Sequence, residues 1–278
     1  MGPPVRGGAT RSCPPGQCAG DDRAMTTASE PGIRVENLSV ERGGHEVVRD
    51  VSFDVGPGML VGVLGPNGAG KSTLFDAIAG ILPVSRGTVT RRGAAAQQGA
   101  LAYVPQRDSI NWVFPATVHD VVMMGRVNHI GLLRRPGKRD KEAVRRCLER
   151  VEMWDSRSTP VTQLSGGQRQ RVFVARALAQ EAIVILLDEA FSGVDVGAQE
   201  GIVDVLRSLR DEGRIVFVAT HDLTNIVQRF DQVICINCHL CACGPPSEAF
   251  TPAVLEELYG SHGIEFAAGP FPQVGAAS

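Results

Sequence analysis

No stretch of this sequence is apolar for long enough to cross a membrane. A spanning helix needs about 20 apolar residues, and the run Ala182 to Leu187 stops at Asp188. Any membrane role is therefore borrowed from a partner. Charge of one sign is also missing: 28 Lys and Arg face 30 Asp and Glu, for a net charge of -2. Such a chain has no global field to gather nucleic acid or anionic lipid. Met1 to Gly20 is rich in Gly, Pro and Arg and lacks the apolar middle of a secretory signal, so it does not read as an export signal. Seven cysteines, two near the N-terminus, one at 147 and four between 235 and 243, are odd in number and uneven in spacing. That is not a disulfide framework, and a reduced cytoplasmic setting is expected. The rest is ordinary globular composition, 43% hydrophobic and 21% charged over 278 residues, enough for one large domain or two small ones.

Residues 1–30 read as a flexible tail of Pro, Gly, Ser and Thr. Met25, followed by a short polar lead, is an alternative start. Structure is expected from about 31 to 255, with 256–278 a C-terminal tail. Ile33, Val35, Leu38 and Val40 partly alternate with polar residues, and Val51, Phe53 and Val55 do so cleanly, which predicts strands. Met59 to Leu64 is a nearly all-apolar strand, and Thr73 to Ala79 the helix after it, closed by Gly80. Thr88–Val89 and Leu101 to Val104 are further strands. Helical texture then covers Val118 to Gly125, Lys141 to Val151 and Gln168 to Gln180. Strands return at Ile183 to Leu187 and Ile215 to Ala219, with a helix over Ala198 to Arg210 between them. Strands alternating with helices imply parallel βαβ units. The fold expected is α/β: a parallel-sheet core, a small antiparallel β part, and a helical subdomain inserted at about 107–180.

Gly65-Pro66-Asn67-Gly68-Ala69-Gly70-Lys71-Ser72 fits the phosphate-binding pattern G-x-x-x-x-G-K-[ST], between a strand and a helix that begins with Thr73. Its glycines let successive N–H groups point at phosphate oxygens, and the helix N-terminus adds a favourable dipole. Lys71 can neutralise the β and γ phosphates of ATP, and the Ser72 hydroxyl can ligate Mg²⁺. The apolar strand ending in Asp188-Glu189 is the expected partner: Asp188 for the metal, Glu189 to polarise the attacking water. On its own such a strand end is commonplace. Leu164-Ser165-Gly166-Gly167-Gln168 opens a second helix with a second anion-binding turn, which a generic phosphate-loop ATPase does not need.

With these three motifs the chain resembles the ATP-binding-cassette family over about residues 33–250. The resemblance implies a phosphate-loop NTPase core, ATP and Mg²⁺ as cofactors, and a head-to-tail dimer. In that dimer Ser165, Gly166, Gly167 and Gln168 act on the nucleotide held by the other subunit. It places Gln106 as a glutamine that senses Mg²⁺ and contacts a permease, Asp195 at the dimer crossing, and His221 as the switch that orients Glu189. It also implies a membrane permease as partner, an extracytoplasmic solute-binding protein in the same system, no nucleic acid, and a location on the cytoplasmic face of the membrane. A non-transport cassette ATPase, in cofactor assembly, translation or repair, is the alternative. Translation-type members usually carry two cassettes and repair-type members a coiled coil; this sequence has one cassette and no heptad run.

Two departures stand out. The position that usually stacks an aromatic on adenine holds Arg42, whose guanidinium plane can stack on any base, which predicts little discrimination between ATP and GTP. Ala190 stands where proline usually follows the acidic pair, with no loss of a catalytic group. The run Tyr103 to Pro115, with Trp112 and Phe114, together with Val118 to Arg126 and Asp188 to Asp195, resembles the manganese, zinc and iron importer branch. The basic run Arg134 to Arg139 reads as a solvated loop. Finally, Cys235, Cys238, Cys241 and Cys243 are spaced C-x-x-C-x-x-C-x-C around His239, over a strand, a turn and a second strand. Thiolates and imidazole suit zinc, yet cysteine is also a small buried hydrophobe. Alternation puts Cys241 and Cys243 on one face.

Overall fold

The central strands are the most apolar segments of the chain, and in the computed structural model they are buried on both faces, as a parallel sheet covered on two sides requires. The structure describes residues 30, 32–106, 115–131, 134–189, 196–223 and 225–260. The parallel part runs β5 (Leu101–Val104), β6 (Val184–Asp188), β7 (Ile215–Thr220), β3 (Met59–Leu64) and β8 (Gln232–Asn237), in that spatial order. An antiparallel strand, β9 (His239–Gly244), closes a hairpin with β8 and touches β2 at Arg49↔His239. Beyond it lie β2 (His45–Val55), β1 (Gly32–Arg42) and β4 (Arg86–Arg92), paired antiparallel.

One face of the parallel sheet packs helix α1 (Lys71–Ala79) and the antiparallel strands around Phe75, Phe217, Leu186 and Val63. The other face carries α2 (Val118–Met124), α3 (Val127–Ile130), α4 (Lys138–Arg150) and α5 (Gly166–Ala179), all four between β5 and β6 in the chain. It also carries α6 (Val196–Asp211) and the short α7 (Ile226–Arg229) and α8 (Pro246–Ala249), with α9 (Pro252–Tyr259) last. The helical block is tied together by Arg126, which is buried and donates to the carbonyl of Ala179 at 3.0 Å and to Glu181 and Asp140 at 2.7 and 3.3 Å. Three acceptors satisfy a guanidinium that would otherwise be costly to bury.

One expectation is explained and two are corrected. The broken alternation in β1 is a register shift between Val35 and Leu38, where Asn37 takes φ 47° and its N–H bonds the Ser52 hydroxyl at 2.8 Å. The C-terminal boundary expected at 255 lies inside α9, which continues to Tyr259 with Leu258 buried. Cys241 and Cys243 do not share a face. A register shift follows Cys235↔Ala242, so that Ile236 pairs with Leu240 and Cys241 is the extra residue. A bulge of this kind reverses the alternation beyond it: Cys241 packs with Cys235 on the α9 side and Cys243 on the opposite side with Ile234. All of the expected 1–30 tail but residue 30, the Met25 start, Trp112, Phe114, Ala190 and Asp195 lie outside the described residues.

Candidate active site at the ends of the parallel strands

The side chains expected to bind and hydrolyse a nucleotide are delivered by the C-terminal ends of four neighbouring parallel strands, where open α/β sheets hold their ligands. Gly65 to Gly70 follow β3, Gln106 follows β5, Asp188 ends β6 and His221 follows β7.

The phosphate loop owes its shape to glycine. Gly68 and Gly70 have φ 82° and 97°, which any side chain would disfavour. At Gly65 the reason is crowding: a Cβ there would overlap the carbonyl oxygen of Ile236 on the neighbouring strand. Gly65→Ala is therefore expected to destabilise the fold by about 1–3 kcal/mol and to weaken ATP binding. Urea unfolding and nucleotide titration of the variant check both.

Lys71 opens α1 and is buried. Its ammonium donates to the carbonyls of Gly65 at 2.7 Å and Pro66 at 2.8 Å. Burial lowers its pKa, and the negative charges of Glu189 and Asp188 oppose that shift. Asp188 is the mirror case. Burial raises its pKa, while the hydrogen bond from Ser72 and the Lys71 charge hold it down. Its Oδ1 is buried with no hydrogen-bond partner among the described residues. Such an orphaned acceptor costs free energy unless something pairs with it. A hard cation bound through oxygen donors would fit it, and Ser72 supplies a hydroxyl beside it.

Glu189 follows the strand with φ 51°, rare for a residue with a side chain. Its N–H is held by the Ala219 carbonyl at 3.1 Å. Its carboxylate takes a 2.7 Å hydrogen bond from Gln106 Nε2 and has His221 Nδ1 at 3.9 Å. Gln106, Glu189 and His221 thus stand together, with Asp188 next in the chain. Arg42 ends β1, is largely exposed, and stands 3.9 Å from Asp76 on α1. Ser165 is somewhere else: it caps α5, with Gln168 N–H on its hydroxyl at 3.3 Å and its own N–H on Gln168 Oε1 at 3.0 Å. The hydrogen bonds of this turn stay within it, and Ser165 is exposed.

One member of the site was missed. Tyr103 on β5 is half-buried, and its hydroxyl pKa is raised by burial first, then by the negative charges of Asp188 and Asp76. The cue was a lone polar-tipped aromatic in a strand next to the one ending in Asp188, but only the register Tyr103↔Leu186 puts the two on one face.

The sequence profile of the family described as ABC transporter matches residues 48–192. The manganese transport system ATP-binding protein MntB of Halalkalibacterium halodurans is 46% identical, over 82% of this chain and 92% of that protein. The chelated iron transport system protein YfeB of Yersinia pestis is 43% identical, over 83% and 79%. The zinc transport system ATP-binding protein TroB of Treponema pallidum is 39% identical, over 85% and 90%. Among solved structures, a transporter described as an ABC transporter of metal-chelate type, in an inward-facing conformation, superposes with a TM-score of 0.74 at 29% identity, covering 83% of this chain and 89% of that one. An ATP-binding cassette in its ADP conformation superposes with a TM-score of 0.70 at 23% identity, over 86% and 99%, which speaks for the fold alone. The chain belongs to the ABC transporter family and has the fold of its ATP-binding cassettes.

Proposed function

We propose that this chain hydrolyses ATP as a head-to-tail dimer and drives import of a divalent metal (manganese, zinc or iron) through a separate membrane permease. The observation that carries the ATPase half is the meeting of Lys71, Asp188, Glu189, Gln106 and His221 at one sheet edge, while the Ser165 turn stands exposed on another element. A second subunit would complete the site with Ser165, Gly166, Gly167 and Gln168, and Asp195 would lie at the crossing. The metal half rests on the manganese, iron and zinc systems of the relatives.

In this reading the N–H groups of Asn67 to Thr73 cradle the phosphates. Lys71 transfers its hydrogen bonds from its own loop to the nucleotide. Glu189, held by Gln106 and His221, takes the proton of the attacking water. Ser72, Gln106 and Asp188 would hold Mg²⁺, which when bound screens charge on the transferred phosphoryl group. Arg42 would cover the base. Met124 and Val127, exposed apolar residues on α2 and α3, offer a contact for the permease, and this would keep the subunit peripheral on the cytoplasmic face. No helix among the described residues is long and apolar enough to cross a membrane. A solute-binding protein outside the membrane would present the metal.

The test is reconstitution of the chain with its co-purifying permease in liposomes, measuring ⁵⁴Mn and ⁶⁵Zn entry with ATP on the subunit's side. ATP-dependent entry of either metal supports the reading. Hydrolysis with no permease partner and no metal entry overturns it in favour of a non-transport ATPase.

A further inference from the structure

Away from the nucleotide site, the bulge in β9 brings together three residues of chemistry that the proposed ATPase mechanism leaves unused. His239, Cys241 and Glu257 each point a donor atom into one space, all within 4.8 Å of one another. His239 Nε2 lies 2.9 Å from Glu257 Oε1, and Cys241 Sγ lies 3.9 Å from His239 Nε2. Ligand atoms around one tetrahedral zinc stand about 3.3–3.8 Å apart, so small side-chain rotations bring all three onto one ion. We propose that His239, Cys241 and Glu257 form a zinc site that staples helix α9 to the β8–β9 hairpin.

The donor set argues for the ion. One thiolate, one imidazole and one carboxylate suit a borderline-soft divalent cation, and the thiol disfavours Mg²⁺ or Ca²⁺. On binding, the Cys241 thiol gives its proton to solvent and the thiolate bonds the metal. His239 and Glu257 are half-exposed, so the ion has an entry path. The frame is already in place. Asn237 Nδ2 reaches the Glu257 carbonyl at 3.4 Å, and α9 lies along the hairpin. Water would take the fourth position; Cys238 is exposed on the turn between the two strands. Cys243 faces the other core and takes no part, and Cys235 is buried in the sheet.

The location gives the site its interest. Cys238 N–H donates to the Ala69 carbonyl at 2.9 Å, and the Cys238 carbonyl accepts from Arg49 N–H at 2.7 Å. The turn beside the zinc ligands is therefore tied to the phosphate loop itself.

The test uses the isolated full chain without permease or nucleotide, so its outcome is independent of the import reading. After incubation with zinc and desalting, elemental analysis is expected to find one equivalent per chain that excess Mg²⁺ does not displace, with a higher Tm than the chelator-treated protein. Cys241→Ser and His239→Ala should each fall below a tenth of an equivalent. Glu257→Gln should weaken zinc binding at least about tenfold, and Cys243→Ser should keep the full equivalent. His239 is half-exposed, so its alanine variant decides the matter should Cys241→Ser fail to fold. Less than a tenth of an equivalent in the parent chain overturns the proposal and leaves a surface His–Glu ion pair beside a packing thiol. So does loss of zinc in Cys243→Ser as complete as in Cys241→Ser.

Discussion

Glu189→Gln is expected to leave ATP binding nearly intact and to lower turnover by about 10²- to 10⁴-fold, the usual contribution of a positioned general base. Gln has the size of Glu and an oxygen that still accepts the 2.7 Å hydrogen bond from Gln106 Nε2, so the left-handed backbone at 189 and the neighbouring side chains need not move. What disappears is the group that can take a proton from water. A subunit that binds ATP without consuming it should accumulate as the closed dimer. Size-exclusion chromatography would then show the doubled mass with ATP and the single mass without it. The two readouts separate causes: a variant that neither binds nor dimerises has lost its structure, and one that dimerises without turnover has lost its base. Hydrolysis near the parent rate would mean that Glu189 is not the base.

What could be read from the residues alone, and what could not, divides along physical lines. β3 appears with the limits Met59 and Leu64 that its apolar run predicts, because a strand buried on both faces needs apolar residues throughout. The Ser165 turn was legible as a helix start because a Ser and two glycines open it, and in the structure Ser165 caps that helix. The phosphate loop was legible because its glycines are demanded one by one. Where register decides, the residues were silent. Asn37 and Cys241 each sit at a shift in pairing, and a single extra residue moves every later side chain to the other face. The same gap hid Tyr103 from Asp188, and it hid Glu257 from His239, since Glu257 is 18 residues further along the chain on helix α9, which ran past the expected boundary. Local chemistry is written in spacing; which distant carboxylate meets which imidazole is set by packing.

Lys71→Ala should weaken ATP binding by roughly 10- to 150-fold, the equivalent of about 1.5–3 kcal/mol for hydrogen bonds to a charged group. Lys71 is 5% exposed, hemmed in by its own loop at 2.7 and 2.8 Å, and its charge interacts with those of Glu189 and Asp188. Two effects therefore add in the variant. The phosphates lose a cation, and they must enter a space where two carboxylates are no longer balanced by it. Lys71→Arg tests whether charge alone suffices. The guanidinium keeps the charge but is a wider planar fork, where the ammonium acts as a compact point charge, so only partial recovery of affinity is expected. Calorimetric titration of the three proteins measures the affinities, and thermal melts without nucleotide show whether the Gly65 and Pro66 carbonyls hold the loop without their donor. An alanine variant that melts like the parent and binds ATP with undiminished affinity would remove Lys71 from the phosphate site, and with it the assignment of Gly65 to Ser72 as the phosphate loop.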